Sequence, residues 1–196
     1  MAIQVERCEI PGLMIITSEI HQDSRGYFME SYRRSDYRKA GIEVEFLQDN
    51  ILLSKRGTIR GLHYQLEPHA QGKLLWAVTG KIFEVAVDIR KGSPTFGRWI
   101  GVVLTPESGK QFWIPPGFAA GMTALEDNSL LAYKTTNEYS KPHERGIRWN
   151  DPEIGIAWPS DPSEMIISEK DQHQPLLKDA EINFIYNKEV RTWQTE

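Results

Sequence analysis

Short apolar segments, turn signals between them, and no long amphipathic helix predict an all-β chain, folded as an antiparallel sandwich or barrel. From residue 46 to 139 the segments are punctuated by Arg56-Gly57, Thr79-Gly80, Lys91-Gly92-Ser93-Pro94, Pro106-Glu107-Ser108-Gly109 and Glu126-Asp127-Asn128. Glycine, proline, asparagine and aspartate in such clusters supply turn geometry, and short strands at this spacing pack as sandwiches or barrels.

In chain order, a short helix is expected after Ser35, with Gly41 as its stop. The clearest strand is Ile82 to Ile89, where Phe83, Val85, Val87 and Ile89 alternate with Ile82, Glu84, Ala86 and Asp88. Glu84 and Asp88 are expected to mark its wetter face. Trp99 to Thr105 and Lys110 to Ile114 follow across a turn, and Leu130 to Asn137 is compatible with a further strand. Ser168-Glu169-Lys170-Asp171 has the form of a capping box and predicts a second short helix. The tail from Ala180 to Glu196 contains the apolar run Ile182-Asn183-Phe184-Ile185-Tyr186, to which the sequence alone assigns no role.

With 196 residues the chain suits one sizeable core, a single domain over 1–196 with its barrel at about 46–139. A formal charge of −4 gives no electrostatic footprint for nucleic acid or for an anionic membrane surface. Met1 to Pro11 carries Glu6, Arg7 and Glu9 rather than an apolar signal run, and no segment approaches the roughly 18 apolar residues of a span, so a cytoplasmic location is expected. Cys8 is the single cysteine, which excludes an intrachain disulfide and leaves an unremarkable thiol. His21, His69, His143 and His173 have no metal-ligand spacing and read as surface residues.

Two stretches share one template. Gly57 is followed after five residues by His63-Tyr64-Gln65, then by Lys73, six residues and Gly80; later come Gly109, five residues, Pro115-Pro116-Gly117, two residues and Ala120. This resembles the paired motifs of the cupin superfamily and implies a cupin-type jelly-roll β-barrel with a few short peripheral helices. Metal cupins keep His, His, Glu and His where this chain has His63, Gln65, Lys73 and Ala120. One imidazole beside an ammonium does not make the three- or four-ligand set a first-row metal needs. No metal is therefore expected, and proton transfer replaces metal chemistry.

Nine segments, in order over about 150 residues, sharpen the resemblance. They are Asp23-Ser24-Arg25-Gly26-Tyr27-Phe28-Met29-Glu30, Gln48-Asp49-Asn50, Arg60-Gly61-Leu62-His63-Tyr64-Gln65, Gln71-Gly72-Lys73, Val87-Asp88-Ile89-Arg90, Ile114-Pro115-Pro116-Gly117-Phe118-Ala119, Tyr133-Lys134, Trp149-Asn150-Asp151-Pro152 and Ser168-Glu169-Lys170-Asp171. Together they resemble the dTDP-4-dehydrorhamnose 3,5-epimerase family. The resemblance implies a dTDP-sugar substrate, no cofactor, and a homodimer whose N-terminal strands pair with the partner.

The family's substrate has a C4 ketone flanked by C3 and C5, so epimerisation needs a base, an acid across the ring, and a cation or donor at the ketone oxygen. An imidazole titrates near pH ~6.5 and suits the base, here His63, with Asp171 matching the acidic partner that fixes its tautomer. Lys73 stands where a metal cupin keeps its carboxylate and is placed to stabilise the enolate oxygen. Tyr133 matches the family's proton donor. By the same resemblance Arg25, Glu30, Gln48, Asn50, Arg60, Lys73, Glu144 and Lys170 contact the substrate and Tyr139 stacks on thymine.

Plainer readings stand beside these. Asp171 also fits the third helical position of a capping box, Tyr133 a core aromatic, and Lys73 a solvated strand end. One departure matters: members of the family commonly read Gly-Phe-Ala-His-Gly-Phe where this chain has Gly117-Phe118-Ala119-Ala120-Gly121-Met122. A methyl group replaces an imidazole donor. The departure keeps open an epimerase acting on one carbon, an isomerase of a related keto-sugar nucleotide, or a non-catalytic cupin that binds a nucleotide sugar.

Overall fold

The computed structural model describes residues 3–187. The N-terminal third contributes β1 (Ile3–Arg7), β2 (Met14–Ser18), the hairpin β3 (Ile20–Asp23) and β4 (Gly26–Met29), helix α1 (Arg34–Lys39) and β5 (Gln48–Ser54). The motif region supplies β6 (Thr58–Gln65), β7 (Lys73–Thr79), β8 (Ile82–Asp88), β9 (Trp99–Leu104), β10 (Lys110–Ile114), β11 (Phe118–Ala124) and β12 (Ser129–Thr135). β13 (Glu144–Gly146), β14 (Ile166–Ile167) and α2 (Glu169–Gln172) complete the regular elements. The chain is thus mostly strand with two short helices, as its punctuation predicts.

Two sheets face each other. The first runs β1-β2-β10-β7-β12-β5 and the second β13-β6-β11-β8-β9, with β14 added parallel to β6. Leu75, Phe112 and Leu131 of the first meet Ile82, Ala86, Val102 and Met122 of the second in the central core. At about 1.5–3 kcal/mol per buried large apolar side chain, this interior is the main force holding the sheets together. Helix α1 covers the outer face of the first sheet through Tyr37, packed with Met14, Ile16, Leu74 and Trp113. It starts one residue before Ser35, follows Arg33 rather than a serine cap, and ends before Gly41, whose φ of 92° suits glycine.

The alternation in β8 reads differently in three dimensions. Glu84 and Asp88 do not mark a wet face: they are 2% and 0% exposed. β8 lies inside the second sheet, and the outer face of that sheet is covered by Ile147, Ile154, Leu177, Ile182 and Phe184, packed on Val85 and Val87. Ile82 and Ala86 face the core between the sheets, so both faces of the strand are covered. Asp88 is satisfied by Arg90, Ser93 and Thr95 at 2.6–2.8 Å. The same packing gives the described part of the tail a task, since Ile182 and Phe184 close this outer layer; the remainder, from residue 188, lies outside the described residues.

The histidines also divide. His21 and His173 are exposed, whereas His69 and His143 are half-buried and stack with ring centroids 4.2 Å apart. Among the described residues no helix is long and apolar enough to cross a membrane, and no group of three or more His, Cys, Asp or Glu is arranged to hold a metal. The Cys8 thiol is pushed up to about 11, mainly by burial, so it is a poor nucleophile.

Candidate active site

The site forms between the inner faces of the two sheets, and a bulge in β6 shapes it. Ala120 of β11 pairs with His63 and Met122 pairs with Arg60, so two steps on β11 match three on β6. The extra residue turns Arg60 and His63 toward one cavity although they are three positions apart. Gly61 makes this possible: its φ is 127°, and a Cβ there would meet the Gly121 Cα at 2.6 Å.

Asp171 reaches the bulge from the first turn of α2. Ser168 caps this helix by accepting from the Asp171 amide at 3.1 Å, while the Asp171 carboxylate turns away to His63 Nε2 at 2.6 Å and accepts from the Gly61 N–H at 3.3 Å. Capping position and contact with histidine thus coexist in one residue. Burial pushes the Asp171 carboxyl up, but the hydrogen bond and charge of His63 and the Gly61 amide outweigh it and hold the group below the usual carboxylate range. A carboxylate on Nε2 fixes the proton there and leaves the Nδ1 lone pair as the basic site.

The first sheet supplies the opposite wall. Lys73 opens β7 opposite Thr135, and Tyr133, two residues earlier on β12, pairs with Leu75 and with Asn50 of β5. Residues two apart on a strand share a face, so Lys73, Tyr133, Gln48 and Asn50 converge. Lys73 Nζ donates to the His63 carbonyl at 3.3 Å. Burial pulls the Lys73 ammonium down, with Glu84 and Glu144 opposing. Burial raises the Tyr133 phenol, Glu84 adds to the rise, and Arg60 opposes it. The phenol is therefore protonated at neutral pH.

Two openings meet at His63, Lys73 and Tyr133. A cavity of about 660 Å³ also takes in Arg60, Glu84, Ala120, Lys170 and Asp171. A second, of about 350 Å³, adds Gln48, Asn50, Tyr139 and Glu144. Together they suit an elongated ligand. At the rim Lys170 pairs with Glu144 at 2.7 Å, the Tyr139 hydroxyl donates to Glu144 at 3.0 Å, and the Tyr139 amide donates to Gln48 at 2.8 Å. Gln48 in turn donates to Asn50 at 2.7 Å, whose own Nδ2 is buried without a partner among the described residues. The Tyr139 ring is half exposed.

Of the expected site residues, Arg25 and Glu30 line neither opening. Arg25 sits in the turn of the β3–β4 hairpin, paired with Asp23 at 2.6 Å, and Glu30 pairs with Arg33 at 2.7 Å. Gln65, at a cupin ligand position, braces loops instead: it donates to the His69 and Glu138 carbonyls and accepts from the Ser140 amide. Sequence reasoning missed Glu84 as a cavity residue. The signal was present in the face it shares with Ile82 and Ala86, but alternation alone does not tell a solvated face from the wall of a pocket.

Comparison with known proteins places this geometry. Residues 7–179 match the family model of dTDP-4-dehydrorhamnose 3,5-epimerase. The chain is 49% identical over 182 residues to the dTDP-4-dehydrorhamnose 3,5-epimerase of Shigella flexneri, covering 92% of this chain and 94% of the relative. It is 48% identical over 167 residues to that of Sinorhizobium fredii, covering 85% of each. Its fold superposes with a TM-score of 0.91 and 41% identity on a crystal structure of dTDP-6-deoxy-D-glucose-3,5-epimerase from Legionella pneumophila in complex with dTDP-4-keto-L-rhamnose, covering 94% of this chain and 99% of that one. The jelly roll, the motif spacing and the similarity along most of the sequence agree, and the chain belongs to the dTDP-4-dehydrorhamnose 3,5-epimerase family.

Proposed function

We propose that this family member carries out its 3,5-epimerase reaction, a step of dTDP-rhamnose biosynthesis, with His63 as the base, Lys73 as the electrophile and Tyr133 as the acid. The substrate is dTDP-4-dehydro-6-deoxy-D-glucose and the product dTDP-4-dehydro-L-rhamnose. The observation that carries the reading is the convergence of the His63–Asp171 pair, Lys73 and Tyr133 on one cavity.

His63 Nδ1 removes the proton from C3 or C5, each beside the C4 ketone, and the electron pair moves into an enolate. The resulting imidazolium is stabilised by Asp171, and the oxyanion by Lys73. Tyr133 comes from the facing sheet and returns a proton from the opposite side of the ring, which inverts the carbon. The two openings divide the ligand: the sugar occupies the larger, while Gln48, Asn50, Glu144 and the face of Tyr139 hold the dTDP end, with Arg60 and Lys170 facing its diphosphate.

The active assembly is a homodimer. Ile51 and Leu53, 72% and 58% exposed, point outward from edge strand β5, and Tyr27 and Phe28 stand exposed on the β3–β4 hairpin. An apolar edge strand left open invites pairing with another chain. Pairing through these elements would let the hairpin carry Arg25 to a neighbouring subunit's pocket. Sedimentation of the purified protein tests this: a monomer at micromolar concentration sinks it. Loss of turnover in His63→Ala with the fold intact tests the catalytic assignment.

The Ala120 methyl stands beside His63 on the neighbouring strand, where an imidazole would add a donor. The reaction then rests more heavily on Lys73 and Tyr133.

A further inference from the structure

Glu84 is the carboxyl group of the larger cavity that the mechanism leaves without a task. It projects from β8 between Ile82 and Ala86, is 2% exposed, and its Oε2 has no hydrogen-bond partner among the described residues. A buried carboxyl without partners loses hydration that nothing returns. An apolar side chain of similar volume would cost less, so the carboxyl itself calls for a use.

Glu84 and Lys73 line the same cavity from opposite sheets, β8 and β7. Around them stand His63 and Arg60 on β6, Tyr133 on β12, Glu144 on β13, Lys55 in the turn after β5, and Lys170 and Asp171 on α2. His63 and Asp171 are engaged with each other, and Glu144 with Lys170 and Tyr139. Glu84 is the carboxyl left to face Lys73 from inside the core.

We propose that Glu84 is a positioning residue for the epimerisation, holding Lys73 in its ammonium form and aimed at the ketone oxygen of the substrate. The proposal rests on the epimerase reading of the cavity. A partly buried lysine tends to give up its proton, and a neutral amine stabilises an enolate poorly. A carboxylate across the cavity opposes that loss. Burial pushes Glu84 up and Lys73 down, while each acts on the other in the opposite sense, so the pair favours its charged forms over either group alone; among the charges acting on Lys73, Glu84 is the largest that opposes its depression. The two groups titrate as a pair. With Ala120 in place of an imidazole donor, the charge state of Lys73 weighs more.

The test is a carbon-13 NMR titration of protein labelled at lysine side chains, the Lys73 signal assigned with Lys73→Met, for the wild type, Glu84→Gln and Glu84→Asp. Removing a negative neighbour lowers the pKa of an ammonium. The Lys73 midpoint should therefore fall by about one unit or more in Glu84→Gln and recover in Glu84→Asp. The alkaline limb of kcat should move down with it while KM changes less than about twofold. A midpoint unmoved in Glu84→Gln, with kcat lowered equally at every pH, overturns the proposal and leaves Glu84 a packing residue. Lys73 already neutral at pH ~7 in the wild type overturns it whether or not the variants fold. A midpoint that falls in Glu84→Gln while the wild type shows no epimerase turnover would instead overturn the epimerase reading.

Discussion

His63 Nε2 lies 2.6 Å from Asp171 Oδ1, joining two residues 108 positions apart in the chain. The contact exists because a glycine bulge turns His63 inward and a serine cap starts α2 beside it. Asp171→Asn keeps the shape but offers no charge and allows the wrong tautomer. Its kcat should fall by about 10³–10⁴ with KM little changed. Steady-state kinetics checks this, and a loss below tenfold would show that the pair does not orient the base.

Tyr133 and His63 approach from different sheets, so removal and return of the proton are separable. Tyr133→Phe should still wash deuterium into the substrate from D₂O but lose inversion by about 10²-fold or more. If this variant inverts at the wild-type rate, another group is the acid.

Tyr139 is half exposed and anchored at its hydroxyl by Glu144, which raises the phenol pKa. Tyr139→Ala should weaken dTDP binding by about 1–3 kcal/mol, read by calorimetry, through lost stacking. Tyr139→Phe should retain most of the affinity. Equal losses in both variants would place the hydroxyl, not the ring, against the ligand.

Asp88 governs a stability term. Burial pushes its carboxyl up, but hydrogen bonds from Arg90, Ser93 and Thr95 win and lower it. A folded value below the unfolded one contributes stability above about pH 4, lost as pH falls through the folded value. Asp88→Asn should cost about 3 kcal/mol at neutral pH. In urea titrations the gap to the wild type should close below about pH 4; a gap that stays constant down to pH ~3 would contradict the assignment.

Much of this was legible because the site residues lie in motifs that also make turns and strands. The glycine spacing around His63, Lys73 and Ala120 foretold the barrel, and Ser168 foretold the helix that presents Asp171. The wall was not legible. Glu84 and Asp88 looked solvated because alternation on a strand reports two faces and not what covers them: their face, shared with Ile82 and Ala86, turns into the space between the sheets, while Ile154, Leu177 and Phe184, far along the chain, cover the other. The bulge at Gly61 was equally hidden, since it is defined by register with β11. Arg25 shows a further limit: its place in a hairpin away from the cavity follows from topology, which a motif match does not carry.

The central claim is enolisation at both carbons beside the ketone, begun by His63. Proton NMR of the purified protein incubated with dTDP-4-keto-6-deoxyglucose in D₂O, without added metal and beside His63→Ala, tests it most directly. The account predicts deuterium at C3 and C5 with the wild type and at neither with the variant. Label at one carbon only, or equal exchange in both proteins, would contradict it.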